Sequence, residues 1–310
     1  MSAMTPHRTT MSETAPLPIP ADNQPYMLVS ALEAGTLYIP SDVVLAGEPR
    51  MVRAIPSLAF YFKHSASDRH FILDLGVRRA FESYPPTLKG FYGRLGKPVE
   101  VPQDVVESCL KGGVDPATVE HVIITHLHWD HIGDHSPFTK ATFTLGGGAK
   151  ALLDDGYPGN PTSVTLSDST PSTRTVFLAQ EDFTTSIGPF PHALDYFGDG
   201  SVYIIHTPGH LPGHLSILAR TSSDGAWMYF GGDVAHDPRL LTDPSTDIAT
   251  STAGGLPFCI HGNPVCARLD IARVRELVKL PRVEFVLAHD WQWARDNSDA
   301  YLPGRIVPKV

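Results

Sequence analysis

Residues 125–131 read THLHWDH and place four potential metal-binding side chains within six consecutive positions. The run HVII directly before them is rich in β-branched residues and too short for a helix, so it predicts a buried strand. Because alternate residues of an extended segment point the same way, His126 and His128 can converge on one ion. Asp130 and His131 follow where the chain must turn, and they can face a second ion. Imidazole and carboxylate groups suit zinc and other borderline divalent cations.

Three further motifs with metal-binding side chains also follow apolar runs. They are HTPGHLPGH at 206–214, GGD at 231–233 and HD at 289–290. The runs that precede them, at 201–206, 226–231 and 283–288, have the length and the β-branched and aromatic content of strands. Polar residues at the ends of successive strands indicate one shared rim, and therefore one site.

The rest of the chain alternates predicted strands with predicted helices, which is typical of the α/β class. Further strands are predicted at 57–62, 69–75 and 141–145, and helices at 103–111, from Asp115 onward and at 266–280. The triple glycine at 146–148 lacks the GK[ST] of a phosphate-binding loop and is predicted to be a turn. The segment from about 154 to 190 is dense in Pro, Ser, Thr, Asp and Gly, and it is predicted to be a long surface loop or a lid.

The composition argues against several classes of partner. With 24 basic and 33 acidic residues the net charge is -9 and no basic block occurs, so no nucleic-acid partner is expected. No stretch approaches the roughly 20 apolar residues of a membrane span, so no membrane partner is expected. The three cysteines form no CxxC pair and no disulfide framework, which favours a cytoplasmic protein.

The domain organisation predicted from these patterns is simple. Residues 1–25 are rich in Ser, Thr and Pro and lack hydrophobic periodicity, so a disordered N-terminal tail is expected there. Residues 26–310 carry all the motifs and are predicted to form a single domain. The oligomeric state stays open between a monomer and a homodimer.

Together the motifs resemble those of the metallo-β-lactamase superfamily. The resemblance rests on THLHWDH (125–131), TPGHLPGH (207–214), GGD (231–233) and AHD (288–290), and it extends over roughly residues 55–295. It implies an αββα sandwich that holds its metals at the edge between two sheets.

The resemblance also implies a ligand set for two Zn²⁺ ions per chain, although other divalent metals suit the same ligands. His126, His128 and His214 would bind the first ion, Asp130, His131 and His289 would bind the second, and Asp233 would bridge both. The family ligand is matched to the last histidine of PGHLPGH, which leaves His210 with a structural role. Asp74 matches a buried aspartate beside the family's site, where it would support the ligands.

The activity that the resemblance implies is hydrolysis. Two cations about 3.5–4 Å apart can hold a bridging hydroxide that attacks a carbonyl carbon polarised by the same metals. Asp130 would bind metal and also act in catalysis by accepting and relaying a proton. The order of the motifs resembles that of quorum-signal lactonases and of fungal lactonase- or lactamase-like proteins. This resemblance implies a small-molecule substrate with a cyclic ester or amide, a lactone or lactam, of the kind found among secondary metabolites.

One position departs from the lactonase pattern. Those lactonases usually carry a tyrosine three residues after the bridging aspartate, where this chain has His236. Two interpretations of His236 stay open: a catalytic residue that donates a hydrogen bond or a proton to the substrate, or a supporting or surface residue. The alternative function is a thioesterase or glyoxalase-II-like hydrolase, which would release a thiol. A redox or non-catalytic protein is disfavoured because every expected ligand is present.

Overall fold

A computed structural model describes residues 15–93 and 99–308. Its strands, in chain order, are β1 (Met27–Leu32), β2 (Thr36–Pro40), β3 (Val52–Pro56), β4 (Ala59–His64), β5 (His70–Leu73), β6 (His121–Ile123), β7 (Thr142–Gly146), β8 (Thr175–Leu178), β9 (Thr185–Ile187), β10 (Phe190–Asp195), β11 (Val202–His206), β12 (Leu215–Arg220), β13 (Trp227–Phe230) and β14 (Val283–Val286). Its α-helices are α1 (Pro86–Gly93), α2 (Val105–Lys111), α3 (Ala149–Asp154), α4 (Arg239–Thr242), α5 (Pro264–Leu277) and α6 (Trp291–Asp296).

Two six-stranded mixed sheets form the centre of the fold. The first has the order β1-β4-β5-β6-β7-β8 and the second the order β14-β13-β12-β11-β10-β9, while β2 and β3 pair as a separate ribbon. One apolar cluster lies between the sheets, a second lies between the first sheet and α1–α3, and a third lies between the second sheet and α4–α5. The αββα sandwich that the resemblance implies is therefore confirmed.

Aromatic side chains join the two sheets across the central layer. Phe62 in β4 stacks on Phe71 in β5 with ring centroids 4.4 Å apart. Phe230, on β13 of the other sheet, meets Phe62 edge to face at 4.8 Å. All three side chains are fully buried. Burial of each contributes on the order of 1.5–3 kcal/mol, and the edge-to-face geometry adds to that.

Most of the elements predicted from hydrophobic patterning are confirmed. The predicted strands correspond to β4, β5, β6, β7, β11, β13 and β14, and the predicted helices to α2, a short 3-10 turn at Pro116–Thr118 and α5. Asp115 caps the turn by accepting from the backbone N–H of Ala117 at 3.0 Å. The helix predicted to end at residue 280 begins two residues earlier and ends at Leu277. Its Pro264 occupies the first turn, where no backbone donor is needed.

The prediction of a loop or lid between residues 154 and 190 is wrong in part. This segment contains β8, which pairs in parallel with β7, and β9, which pairs with β10. The two strands have four and three residues. Strands of three or four residues are too short for an alternating pattern to be seen, and the partner of β8 is distant in sequence.

The predicted N-terminal tail is described only from residue 15 onward; residues 1–14 lie outside the described part of the chain. Leu17 packs against the apolar cluster between the second sheet and its helices. The buried side chain of Arg220 donates a hydrogen bond from Nη2 to the carbonyl of Pro18 at 2.7 Å. Residues 15–25 therefore include specific contacts with the domain.

The strand directions bring the sequence motifs to one edge of the sandwich. Strands β5 and β6 run parallel in the first sheet, and β13 and β14 run parallel in the second. Asp74, the THLHWDH motif, the GGD motif and His289 all follow the carboxyl ends of these four strands. Within the described residues, no helix is long and apolar enough to cross a membrane.

Candidate metal centre

The THLHWDH segment is held in place from its first residue. Asp74, just after β5, accepts from the backbone N–H of Thr125 at 2.7 Å and from its hydroxyl at 2.8 Å. Asp74 itself has a positive φ of 61°, a conformation that Asp adopts more readily than most residues. At the other end of the motif, the backbone N–H of Leu75 donates to the carbonyl of His131 at 2.8 Å. The segment is thereby tied at both ends to the residues that follow β5.

The first cluster, defined here as His126, His128 and His210, brings three ring nitrogens together. His126 Nε2 lies 2.9 Å from His128 Nδ1, and His210 Nε2 lies 2.9 Å from the same atom. Asp233 Oδ2 lies 3.5 Å from His126 Nε2 and 3.4 Å from His210 Nε2. The arrangement is three nitrogens and one carboxylate oxygen directed at a common point.

The structure places His210, and not the predicted ligand His214, beside the other two histidines of the first cluster. His214 Nδ1 lies 2.9 Å from Thr207 Oγ1, and His214 Nε2 accepts from the backbone N–H of Asp233 at 3.0 Å. Both of its ring nitrogens are thus engaged by the protein, and His210 is the histidine beside His126 and His128. The physical reason is that His214 directly precedes β12, whose pairing with β11 sets its direction, whereas His210 lies on the turn before it.

The second cluster, defined here as Asp130, His131 and His289, lies next to the first. Asp130 Oδ2 is 3.8 Å from His131 Nε2 and 3.4 Å from His289 Nε2. The other carboxylate oxygen of Asp233, Oδ1, lies 3.3 Å from His131 Nε2 and 3.2 Å from His289 Nε2. Asp233 therefore presents one oxygen to each cluster.

The two clusters differ in their electrostatics. Burial lowers the pKa of His126 and His210 well below the usual value and that of His128 to about 4. Burial is also the largest influence on His131 and His289 and would lower their pKa, but the nearby carboxylates together, Asp233 foremost and then Asp130, with Asp74 beside His131, raise both pKa values. The rings of the first cluster are therefore neutral at pH 7, whereas the carboxylates beside His131 and His289 favour the protonated form of these two rings.

Several features of the two clusters fit a divalent metal ion. His131 Nε2 and Asp233 Oδ1 are buried without a hydrogen-bond partner, a costly arrangement for a polar atom in a closed site. Three basic nitrogens that face one another repel unless a cation or a proton lies between them. A tetrahedral zinc site holds its nitrogens about 3.3 Å apart, which is close to the spacing in the first cluster. The donors, neutral imidazole and carboxylate, are those that borderline divalent cations prefer.

Two buried histidines adjoin the clusters. His236 Nε2 lies 3.1 Å from Asp233 Oδ2, and its ring stacks on His289 with centroids 5.6 Å apart. His261 lies on the loop before α5, and its Nδ1 is 3.3 Å from His210 Nδ1. The sequence analysis missed His261, because a single histidine in the segment CIHGN stands in no recognisable motif.

A pocket opens beside the second cluster. Its walls include Ile39, Val44 and Ile55 from the β2–β3 region, with His236 and His289 on the side of the clusters. It encloses about 450 Å³, counting the solvent at its mouth. An apolar wall next to a few convergent polar groups is typical of sites for small molecules.

Comparison with known proteins agrees with this architecture. A family model described as "Metallo-beta-lactamase superfamily" matches residues 107–224. Metallo-hydrolase mfmC of Annulohypoxylon moriforme is 34% identical over 216 residues, which are 68% of this chain and 56% of that protein. Gamma-lactamase MBL2 of Gibberella moniliformis is 36% identical over 175 residues, which are 53% of this chain and 70% of that protein. The chain thus spans about half the length of the first relative and more than two thirds of the second.

A solved structure shares the fold over almost its whole length. The crystal structure of a quorum-quenching N-acyl homoserine lactone lactonase covers 90% of this chain and 98% of its own, with a TM-score of 0.64. The two sequences are 17% identical, so the likeness concerns the fold alone.

Proposed function

The chain belongs to the metallo-beta-lactamase superfamily, and from that premise we propose that it is a metal-dependent hydrolase that opens a cyclic ester or amide of a small molecule. The observation that carries the proposal is the position of Asp233. Its Oδ2 lies within 3.5 Å of the first cluster and its Oδ1 within 3.3 Å of the second. A carboxylate with one oxygen in each of two adjacent ligand sets is the arrangement that a pair of bridged cations requires.

The proposed ligand set differs from the predicted one at a single position. His126, His128 and His210 would hold the first cation, Asp130, His131 and His289 would hold the second, and Asp233 would contact both. We propose zinc for both cations. When bound, the pair lowers the pKa of water toward about 7 and draws electron density from a carbonyl group. His214 supports the site from outside by accepting the backbone N–H of Asp233.

Asp130 is the residue proposed to accept and relay the proton. The hydroxyl of Ser57 donates to its backbone carbonyl at 2.6 Å, which fixes the turn that carries it. The carboxylate is buried and faces His289 Nε2 at 3.4 Å. A carboxylate held at the junction of metal and substrate can take the proton released in the attack and return it to the leaving atom.

His236 is proposed to contact the substrate from the pocket wall. Its Nε2 is directed at Asp233, whereas its Nδ1 is buried without a partner. The His236 side chain also lines the pocket, so a substrate bound there would contact it. The proposal therefore favours the catalytic interpretation of His236 over a surface role, which its burial contradicts.

The pocket and one relative support a small cyclic ester or amide as the substrate. The apolar side chains of the lining would accept a ring or an alkyl group, and the scissile carbonyl would lie beside His236 and His289. The charged side chains of Arg53, Asp237 and Arg239 also line the pocket. The relative that is 36% identical is named a gamma-lactamase, an enzyme class that opens cyclic amides.

Elemental analysis of the purified protein, combined with a panel of γ-lactones, γ-lactams and acyl thioesters, tests the proposal. We expect about two equivalents of zinc and ring opening without release of thiol. Asp233→Asn should lose metal and lower turnover by about a thousandfold. Asp199→Asn is the matched control, because it removes a carboxylate that pairs with His64 outside both clusters. This variant should keep its metal content and its turnover. A protein without bound metal would refute the proposal, and cleavage of thioesters alone would establish the thioesterase alternative.

A further inference from the structure

Each histidine of the two clusters directs one ring nitrogen toward the other residues of its cluster. Its second ring nitrogen is left for a contact elsewhere. In His126, His131 and His289 that second nitrogen is Nδ1, and an oxygen atom of the protein lies against it; for His126 Nδ1 it is Thr125 Oγ1, at 3.1 Å. His131 Nδ1 lies 2.7 Å from Asp74 Oδ2, and His289 Nδ1 lies 2.8 Å from the carbonyl of Pro56. Such a partner fixes the tautomer and the orientation of a metal-binding imidazole, and raises its basicity.

The Nδ1 atom of His210 also has a partner, but that partner is an imidazole nitrogen rather than an oxygen atom. His210 Nδ1 lies 3.3 Å from His261 Nδ1, and both side chains are buried, with 1% and 2% of their surface exposed. Neither a carboxylate nor a backbone carbonyl is recorded against His210 Nδ1 among the described residues. His261 therefore occupies the position that Asp74 occupies for His131.

The backbone holds the two histidines in this register. The N–H of Gly262 donates to the carbonyl of His210 at 2.8 Å, and the N–H of Asn263 donates to the carbonyl of Gly209 at 3.0 Å. Gly209 has no room for a side chain, since a Cβ there would lie 2.3 Å from the backbone nitrogen of Ala267 in α5. The loop that carries His261 and the turn that carries His210 are thus joined by main-chain hydrogen bonds.

The proton count assigns a direction to the contact. For His210 to offer the lone pair of Nε2 to a cation, its proton must reside on Nδ1. That N–H needs an acceptor, and the facing atom is His261 Nδ1, so the proton of His261 must reside on Nε2. In this tautomer the proton of His261 lies on Nε2, an atom that is buried and has no hydrogen-bond partner among the described residues.

We propose that His261 is a positioning residue that accepts the Nδ1–H of His210 and thereby sets the affinity of the first cluster for its metal ion. The inference rests on the proposed function, because it takes His210 as a ligand. His261 does not touch the cation or the substrate in this proposal. It acts only through His210.

A competing arrangement is a third metal site. His210, His236 and His261 each offer a nitrogen, and the three atoms lie within 4.8 Å of one another. In that arrangement His261 would be a ligand, and its removal would abolish a whole equivalent of bound metal. A positioning residue changes the affinity and leaves the number of bound ions unchanged, so stoichiometry distinguishes the two.

The test compares two variants of similar size. In His261→Asn the side-chain oxygen takes the place of Nδ1 and still accepts a hydrogen bond, whereas His261→Leu removes the acceptor. The dissociation constants for zinc are measured by competition with a chromophoric chelator, and the absorption spectrum of the cobalt(II)-loaded protein is recorded. His64→Leu removes a buried histidine outside both clusters and serves as the control.

We expect His261→Leu to weaken the affinity for one of the two ions by about 10–100-fold and to alter the cobalt spectrum. The Asn variant should recover most of the affinity, both variants should bind two equivalents at saturation, and the control should match the wild type. If the Leu variant does not fold, His261→Gln, whose acceptor is displaced by one methylene, should show the loss instead.

Several outcomes would overturn the inference. Unchanged affinity in the Leu and Gln variants would remove His261 from the site, and equal losses in Asn and Leu would leave no role for the acceptor. Loss of a full equivalent would establish the third site. A wild-type protein that binds no divalent metal would refute the proposed function itself, which is a different result from any of these.

Discussion

The first cluster presents ring nitrogens, whereas the second presents two rings and a carboxylate, and the two share only Asp233. In the first, burial depresses the histidine pKa values, so the rings are neutral at pH 7. In the second, although burial opposes it, Asp233 raises the pKa of His131 and His289. Both clusters draw residues from the THLHWDH motif, yet they differ in donor type and in the pKa of their histidines.

This comparison shows that the charges around a histidine decide its protonation. His128 and His131 are three residues apart in the same turn. The ring of His131 faces Asp74, Asp130 and Asp233, whereas His128 faces the rings of His126 and His210. The first cluster needs no deprotonation to bind a cation, but the second must release protons first.

The largest expected effect is the loss of metal and of turnover when a histidine of the first cluster is removed. His210→Ala should remove one equivalent of metal and lower turnover by about a thousandfold, because a ligand is lost. His214→Ala should keep two equivalents. It should lower the free energy of unfolding by about 1–3 kcal/mol, because the N–H of Asp233 loses its acceptor. Metal analysis and thermal unfolding of both variants test this. The opposite pattern would restore the original assignment of His214.

A second effect should be confined to the second cluster. Asp74→Asn removes the negative partner of His131 Nδ1 and keeps the volume of the side chain. We expect the affinity for one of the two ions to fall about 10–100-fold and the other to stay unchanged. Two-step titration with zinc would reveal this. Equal weakening of both ions would show that Asp74 supports the whole turn rather than one ligand.

The third effect is a difference in pH dependence. His131 and His289 have raised pKa values and hold protons at pH 6, so protons compete with the metal there. Affinity of the second cluster should rise about tenfold per pH unit for each proton released. First-cluster rings such as His128, with a pKa of about 4, are already neutral. His210→Ala disables the first cluster, so zinc titration of this variant at pH 6 and pH 7 gives the pH dependence of affinity at the second. His289→Ala gives the same quantity for the first cluster. Equal slopes would remove the distinction between the clusters.

The smallest effect concerns the pocket, which borders the second cluster through His289. Val44→Phe narrows the pocket and should raise KM several-fold for substrates with bulky substituents, because an overfilled wall costs about 1–3 kcal/mol. Metal content and kcat for the smallest substrate should not change. Val176→Phe, at an exposed position on β8, is the control. An unchanged KM would mean that the substrate approaches from another side.

Much of this site could be predicted from the sequence because its residues lie next to strands. The runs HVII (121–124), SVYII (201–205) and VEFVLA (283–288) are strong strand patterns. Each is followed, within five residues, by a histidine of the two clusters: His126, His210 and His289. Asp130, His131, Asp233 and His289 lie where the motifs predicted, beside His126 and His128. The metal identity and the roles of these residues stay predictions.

The differences between the predictions and the structure have a common cause, which is the pairing of strands. His210 and His214 are equivalent in the sequence, since each follows Pro-Gly. Pairing of β12 with β11 directs His214 under Asp233, and no local pattern contains that information. Strands β8 and β9 likewise form by pairing with β7 and β10.

The sequence by itself determined which donor residues are present, that they follow predicted strands, and that strands and helices alternate; the αββα sandwich was implied by the resemblance of the motifs to a family. Those properties are local, because periodicity and motif spacing are carried by neighbouring residues. Only the tertiary structure decided which histidine faces which, that Asp233 divides its oxygens between two clusters, and that His261 lies against His210. These depend on the packing of side chains from loops 51 residues apart, where sub-ångström directions decide a contact.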